Sequence, residues 1–410
     1  MSKWQNMELG KVIDFNPSER IAKGTFAKKV PMDKLMPFSR KITGYEIAAY
    51  SSGPKFRNGD VLLAKITPCL ENGKTAQVDI LEEGEVAFGS SEFIVLRENE
   101  HSINDYIFYL AQSPAFRKRA IGCMEGTSGR KRVNEGALKL QELPIPDKDI
   151  QRKIATVLSS LDTKVELNQK VNAELEAMAK TLYDYWFVQF NFPDRDGKPY
   201  KYSGGKMVYN DELKRNIPEG WEMSRVASLL EKVNSNVKLA TSEYLSDGKY
   251  PIIDQSRDFI VAFTNNEDAV IDGSLVPRII FGDHTRILKF INFDFVRGAD
   301  GTQVLLSSTS RMPQHLFFYS LSRIDLSNYG YARHLKFLRE QLIILPSIEI
   351  AEKFETIARN YHLQIRQNIE QNQKLTQLRD WLLPMLMNGQ VTVTGVSEKI
   401  NEQMEAESNQ

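Results

Sequence analysis

The apolar residues of this 410-residue chain follow a helical pattern in two long segments, offset from each other by 200 residues. In each segment they recur at alternating steps of three and four, which is the pattern of a coiled-coil seam. The matched positions are Ile150 and Ile350, Ile154 and Phe354, Val157 and Ile357, Leu161 and Tyr361, Val165 and Ile365, Leu175 and Leu375, Met178 and Leu378, and Leu182 and Leu382. The pattern predicts two α-helices of about 38 residues, each on the order of 57 Å long.

Polar residues interrupt both seams at the same place. Asn168 and Asn368 occupy equivalent positions, and Asn172 and Asn372 follow one turn later. A polar layer weakens an apolar seam but selects its register and its partner. The shared position therefore favours antiparallel pairing of the two helices with each other. The alternative is that each helix packs separately on its own domain.

Prolines precede both predicted helices, in LPIP before the first and in LP before the second. A proline in the first turn of a helix sacrifices no intrahelical hydrogen bond. We therefore place the long helices at 146–190 and 346–393. The residues that follow, 394–410, are polar and net acidic, and we expect them to be disordered.

The segments that precede the two helices also resemble each other. Each has β-like runs with turn signals, FRNGDVLLAKI and GEVAFGSSEFIVL in the first half, VPRIIFGD and FVRGADGTQVLL in the second. Each then has an aromatic stretch, DYIFYL or QHLFFYSL, with the spacing of a buried helix face. The prediction is an α+β chain with two tandem globular domains, at 1–145 and 221–345, each followed by a long helix, the two helices pairing as an antiparallel coiled coil. Residues 191–220 are predicted to form a connector.

Composition narrows the class of protein. The chain is 41% apolar and 26% charged, as is typical of globular proteins, and no apolar run approaches the roughly 20 residues that span a membrane. The stretch MSKWQNMELG has no apolar segment of a secretory signal, and Cys69 and Cys123 form no CxxC motif. We therefore expect a cytoplasmic protein. Because the net charge is zero, a nucleic-acid partner would have to be bound by local basic patches.

Motifs of catalysis and cofactor binding are missing from the sequence. The SGGK stretch at 203–206 lacks the spacing of a phosphate-binding loop, and the five histidines form neither HxxxH nor HExxH. Glu92 follows a strand-like run, but no lysine lies two residues beyond it, so a solvated carboxylate is favoured over a nuclease site. We expect no catalytic residue, no metal site and no cofactor in this chain.

Basic and hydrogen-bonding side chains recur in loops at corresponding places of the two halves. Between Ser113 and Val133, six basic residues accompany a single acid, Glu125. Cations neutralise phosphates, and Arg, Asn, Ser, Thr and His side chains can contact base edges. The predicted DNA contacts are Lys65, Thr67, Lys74, Ser128, Arg130 and Arg132 in the first domain, and Arg286, Tyr331, Arg333, His334 and Lys336 in the second.

Together these features resemble the DNA sequence-specificity (S) subunits of type I restriction-modification systems. The resemblance extends from Trp4 to Val393 and includes the alternation of two domains with two long helices. It also includes the phrases NGDVLLAKITPCLENGK, GTSGRKRV, LPIPDKDIQRKIATVL and GKPYKYSGGKMVYNDELKRNIPEGWE. The second domain departs from the family pattern at DGSLVPRIIFGDHTR, where a GDVLL-like phrase is expected.

The resemblance implies a non-catalytic subunit in which each domain reads one half of a bipartite sequence in double-stranded DNA. It implies that the helical rod sets the spacing and docks two methyltransferase (modification) subunits, which bring S-adenosylmethionine and methylate adenine. Restriction (translocase) subunits would bring ATP and magnesium. Two alternatives from other classes are a DNA-free scaffold or adaptor built on the rod, and a fused nuclease or methyltransferase.

Overall fold

The computed structural model describes residues 4–127, 129–231, 238–298, 300–330 and 333–391. The chain divides into two compact units. The first unit contains the residues up to 167 together with those from 371 onward, and the second contains residues 168–370. The tail predicted to be disordered, 394–410, lies outside the described residues. Among the described residues, none of the helices combines the length and the apolar character that crossing a membrane requires.

The first half of the chain contains short strands and helices that lead into one long helix. In chain order the elements are β1 (Trp4–Glu8), α1 (Leu9–Val12), β2 (Ile13–Phe15), β3 (Phe26–Val30), β4 (Glu46–Ala49), β5 (Lys55–Phe56), β6 (Val61–Ala64), β7 (Thr75–Gln77), β8 (Ala87–Gly89), β9 (Phe93–Glu98), α2 (Asn104–Gln112), α3 (Pro114–Gly122), β10 (Met124–Glu125), β11 (Arg132–Val133), α4 (Glu135–Lys139), β12 (Glu142–Pro146) and α5 (Lys148–Tyr183).

The second half has the same kind of arrangement. A π-type turn at Asp184–Val188 is followed by β13 (Met207–Asn210), β14 (Arg215–Pro218), β15 (Glu222–Arg225), α6 (Val226–Leu229), β16 (Tyr250–Ile253), β17 (Ala262–Thr264), β18 (Val270–Ile271), β19 (Arg278–Gly282), β20 (Leu288–Ile291), β21 (Phe295–Arg297), β22 (Thr302–Leu305), α7 (Gln314–Ser322), α8 (His334–Glu340), β23 (Leu342–Leu345) and α9 (Ile348–Met387). The predicted connector thus contains one hairpin, β13–β14.

The two units repeat one strand topology. In the first unit, a four-stranded sheet has the order β4-β3-β8-β5, with β3 and β8 parallel and the outer pairs antiparallel. In the second unit, the sheet β17-β16-β21-β18 has the same pattern, with β16 and β21 parallel. A second sheet in each unit centres on β6 or β19, flanked by antiparallel strands. The predicted tandem α+β architecture is therefore confirmed.

The aromatic stretches predicted as helix faces are buried. Tyr106, Phe108 and Tyr109 of α2 lie in the core of the first unit, and Phe317 and Tyr319 of α7 lie in the core of the second.

The first long helix begins at Lys148, two residues later than predicted. Pro144 and Pro146 belong to β12, where they lie opposite Asn6 and Trp4 of β1. The side chain of Asp147 accepts a hydrogen bond from the backbone of Ile150, at 2.9 Å, and caps the helix. The prolines therefore end a strand instead of opening the helix.

Both long helices also end earlier than predicted. The α-helical part of α5 ends at Tyr183, because Trp186, Phe187 and Phe190 turn into the aromatic core of the second unit. Helix α9 ends at Met387, and Gly389 adopts a left-handed conformation with a φ of 72°, as a C-terminal cap requires.

Segments of the two long helices contact each other within each unit. In the first unit, Asp162 of α5 binds Arg379 of α9 at 2.8 Å, and the carbonyl of Val165 lies 3.4 Å from the Asn372 side chain. In the second unit, the ring centroids of Tyr183 and Phe354 lie 6.0 Å apart. The two segments in the first unit run antiparallel, because a residue further along α5 meets one earlier in α9.

Amide side chains of both long helices meet in the second unit. Asn168 and Asn368 are both buried, and the Asn368 side chain donates a hydrogen bond of 2.8 Å to the side chain of Asn172. Gln364 in turn donates to Asn368 at 3.0 Å. Since a buried amide is costly without partners, this layer favours one register of the two segments.

Candidate nucleic-acid interface

The first unit brings together two of the segments predicted to contact DNA. The backbone N–H of Thr67 donates to the carbonyl of Lys131 at 3.0 Å, and the N–H of Val133 donates to the carbonyl of Lys65 at 2.9 Å. Ile66 and Arg132 form a β-bridge between these hydrogen bonds. The loop after β6 and the basic loop before β11 therefore form one surface, which we name the first loop pair (residues 65–74, 126–127 and 129–132).

Arg132 has a specific partner on this surface. Its Nε lies 2.8 Å from Oε2 of Glu92, and its Nη2 lies 2.7 Å from Oε1. The hydrogen bonds from Arg132 lower the pKa of the Glu92 carboxyl. Glu92 is therefore an ion-pair partner of the predicted contact, and it holds the guanidinium in one orientation.

The other predicted DNA contacts of the first unit differ in exposure and in the partners of their side chains. Arg130 is exposed, and Lys65 is half-buried with its ammonium 3.8 Å from Glu135. The Thr67 hydroxyl lies 3.4 Å from Glu71. The ammonium of Lys74 donates to the carbonyl of Met32 at 3.1 Å. Ser128 lies outside the described residues.

The second unit joins the equivalent segments through Asp283. The N–H of His334 donates to the Asp283 carbonyl at 2.8 Å, and the N–H of Leu335 donates to the Asp283 carboxylate at 2.7 Å. We name residues 282–286 and 333–336 the second loop pair. Within it, Arg286 has a φ of 62°, and its guanidinium donates to the carbonyl of Leu326 at 3.1 Å.

His334 has an internal role. Its side chain is buried, with Nδ1 2.9 Å from the Asp283 carbonyl oxygen and Nε2 3.1 Å from the Tyr329 carbonyl oxygen. Both ring nitrogens face groups of the protein itself, so the ring stabilises the loop pair and is not presented to a ligand. We therefore withdraw His334 from the predicted DNA contacts.

Two further predicted residues, Arg333 and Lys336, line an open groove of about 620 Å³. Arg225 at the end of β15 and Arg339 of α8 line the same groove. We name this the basic groove (Arg225, Arg333, Lys336 and Arg339). Arg225 and Arg339 are not among the DNA contacts predicted from the sequence, although Arg339 follows Lys336 at helical spacing. Tyr331 lies outside the described residues.

Two features of the described residues concern metal binding and thiol reactivity. No group of three or more His, Cys, Asp or Glu side chains is arranged there to hold a metal ion. Cys123 is half-buried, and burial raises the pKa of its thiol, which disfavours the reactive thiolate.

Several known proteins are similar to this chain in sequence. Residues 1–177 match the family described as the type I restriction modification DNA specificity domain. The specificity subunit of the type I restriction enzyme MjaIX from Methanocaldococcus jannaschii is 30% identical over 319 residues, which cover 71% of this chain and 70% of the relative. The specificity subunit of HindI from Haemophilus influenzae is 23% identical and aligns with 95% of this chain and all of its own length.

One solved structure is similar to this chain in fold but only distantly similar in sequence. The S subunit of a type I restriction-modification system from M. genitalium superposes with a TM-score of 0.55 at 16% sequence identity, covering 94% of this chain and 96% of that one. The sequence matches place this chain, with its two tandem α+β units, among DNA specificity proteins. The chain belongs to the family of type I restriction-modification DNA specificity subunits.

Proposed function

We propose that this chain reads a two-part DNA sequence, with one half-site bound by each recognition domain. The supporting observation is the repetition of one feature. In both units the loop after β6 or β19 is hydrogen-bonded to the segment that leads into the last short helix, α4, or begins it, α8. A repeated surface of this kind suits two similar readers on one duplex, as expected when pseudo-symmetric protein halves meet separated half-sites.

In this proposal the loop pairs supply both kinds of contact that DNA recognition needs. Exposed cations such as Arg130 and Lys336 would neutralise phosphates, and this part of the affinity is independent of sequence. Side chains held in one orientation, such as Arg132 by Glu92, would read base edges in a groove, because bidentate hydrogen bonding requires a fixed donor geometry.

The long helices would set the distance between the half-sites by pairing along their length as a coiled coil. Support comes from the antiparallel contacts of the first unit and from the hydrogen bond between Asn368 and Asn172 in the second. The helices would also dock two methyltransferase subunits. The chain itself would be non-catalytic, with S-adenosylmethionine on those partners and ATP and magnesium on restriction subunits.

The test is to express the chain with its methyltransferase partner in cells that lack other DNA methylation and to map modified adenines by single-molecule sequencing. The expected result is one motif with two specified parts separated by a fixed number of unspecified bases. The partner expressed without this chain is the control and should leave DNA unmodified. Methylation without any two-part motif would rule out the proposal.

A further inference from the structure

We infer that the second recognition domain grips the DNA backbone in the basic groove and that the first domain has no equivalent grip. The inference depends on the proposed function, because it assigns a further contact to the same DNA. It adds Arg225 and Arg339 to the residues expected at DNA. It also makes the two domains unequal in their sequence-independent affinity.

The groove presents its positive charge to solvent. Arg225, Arg333, Lys336 and Arg339 are all exposed, and within the described ranges none of them forms an ion pair. Among the described residues of the lining, the acids are Asp283 and Glu340. Cations that have no carboxylate partner are available to phosphate oxygens.

The carboxylate of Asp283 does not cancel this charge at the groove surface. Asp283 is buried, and one of its oxygens accepts the hydrogen bond from the backbone of Leu335. The acid is therefore committed to joining the second loop pair. Glu340 adjoins Arg339 at the end of α8 but, within the described ranges, forms no ion pair with it, so all four cations of the lining remain available to a phosphate.

The spacing of the cations suits the backbone of a nucleic acid. Lys336 and Arg339 are separated by one turn of α8, and Arg333 directly precedes that helix. At about 1.5 Å per residue, Arg333 and Arg339 are separated by roughly 9 Å along the axis. With one phosphate per strand for about every 3.4 Å of duplex axis, such a row has room for two to three successive phosphates.

At the corresponding positions the first unit has one cation, Lys139, in place of four. Strand β1 pairs with β12 as β15 pairs with β23, so Glu8, opposite Glu142, takes the place of Arg225, opposite Leu342. The same register places the positions equivalent to the other three cations at Val133, Gly136 and Lys139.

The residues at these positions have other roles. Glu8 lies 3.4 Å from Lys11, Val133 is buried, and the ammonium of Lys139 lies 5.5 Å from the centroid of the Phe15 ring. A negative charge therefore stands where the second unit has Arg225. The basic groove is a property of the second unit and is not part of the repeated fold.

The experiment measures the salt dependence of DNA binding for the complex of the full chain with its methyltransferase partner. The variant is Arg225→Gln with Arg339→Gln. The matched control is Lys198→Gln with Lys201→Gln, which removes two exposed cations of the connector. Neutralising two phosphate contacts should flatten the plot of log affinity against log salt by about 1.8, since each contact on duplex DNA contributes roughly 0.9. The control should leave the slope unchanged.

Three outcomes decide the matter. A flatter slope with an unchanged methylation motif supports the inference, and the charge-conserving pair Arg225→Lys with Arg339→Lys should then restore the slope. An unchanged slope, or an equal change in the connector control, overturns it. A changed base preference in one half-site also overturns it, because the groove would then read bases instead of phosphates.

Failure of the proposed function looks different from all of these. It would appear as the absence of a two-part motif from the wild-type complex, whatever the slopes of the variants. Circular dichroism and thermal unfolding of each variant, compared with wild type, verify that the substitutions at exposed positions leave the fold intact.

Discussion

The guanidinium of Arg132 forms a two-pronged ion pair with the carboxylate of Glu92, at 2.7 and 2.8 Å, across 40 residues of sequence. Glu92 directly precedes β9, and Arg132 begins β11, so the pair joins a sheet of the first unit to its basic loop. An exposed pair of this kind contributes little to stability. Its value would therefore be the orientation it gives to Arg132.

The first prediction separates orientation from stability. Glu92→Gln should leave the unfolding temperature nearly unchanged but lower methylation of cognate sites, because Arg132 loses its fixed direction. Steady-state methylation with the partner subunit and a thermal melt measure the two effects. Lys206 forms an exposed ion pair with Glu219 in the connector, so Glu219→Gln is the matched control. Equal methylation by Glu92→Gln and wild type would contradict the orienting role.

The second prediction concerns Arg130, which is exposed on the first loop pair. Arg130→Ala should weaken modification of cognate sites without changing stability, since a phosphate or base contact is lost and no internal contact is broken. Methylation rates on a cognate and a half-site-altered duplex provide the measurement. If both rates match those of wild type, Arg130 is not a DNA contact.

The third prediction concerns the amides of the second unit. Asn368→Leu should destabilise the chain by about 1 to 3 kcal/mol, because the side chain of Asn172 loses its hydrogen-bond partner in a partly buried place. Adding Asn172→Leu should recover this loss, since an apolar layer is more stable than a polar one. Urea unfolding of wild type and the single and double variants tests it. A double variant no more stable than the single one would refute the pairing.

The fourth prediction is a pH dependence at His362. Burial, together with the charge of nearby His315, lowers the pKa of His362 from 6.5 to about 3. Its Nε2 lies 2.9 Å from the hydroxyl of Tyr319, which can donate to the neutral ring. Between pH 6.5 and 3 the unfolded chain binds a proton that the folded chain does not, so the stability from this site is full above 6.5 and falls as the pH drops.

At about 1.4 kcal/mol per pKa unit, the loss would be on the order of 4 kcal/mol by pH 3. His362→Gln keeps an acceptor for Tyr319 and cannot titrate. The difference in unfolding free energy between wild type and this variant should therefore be constant above pH 6.5 and shift in favour of the variant below it. A difference that stays constant from pH 7 to pH 4 would show that folding does not lower the pKa of His362.

The fifth prediction tests the proposed ruler. Inserting one heptad after Leu167 of α5 and another after Glu370 of α9 keeps the two helices matched and lengthens each by about 10 Å. The spacer of the methylated motif should grow by roughly three base pairs at about 3.4 Å each, with both half-sites unchanged. Single-molecule sequencing reads this directly. An unchanged spacer would refute the proposal that the helices set the distance.

Local sequence patterns were sufficient for the long helices and for the tandem plan. Steps of three and four define a helix wherever they occur, and the repeated strands share turn signals that depend on neighbouring residues. The position of the basic loops could also be predicted, because glycine-rich segments with clustered cations must lie at the surface.

Contacts between distant segments decided the rest. The local pattern predicts a helix start at Pro144 and Pro146. Both prolines instead lie in β12, which pairs with β1 at the start of the chain. The local sequence predicts His334 to be a DNA contact on a loop. In the structure, its backbone N–H and its ring both contact the carbonyl of Asp283. Arg225 joins the basic groove only because β15 pairs with β23, more than 100 residues later. No local pattern encodes such pairings.

The antiparallel strands β1 and β12, and likewise β15 and β23, have one further consequence. The chain enters each recognition domain on one strand and leaves it on the neighbouring one, so the two ends of the domain are about 5 Å apart. A foreign segment with similarly spaced ends could be grafted between them without moving the long helices. Each domain could therefore be exchanged as a whole. A new DNA target could be acquired in this way instead of by gradual substitution.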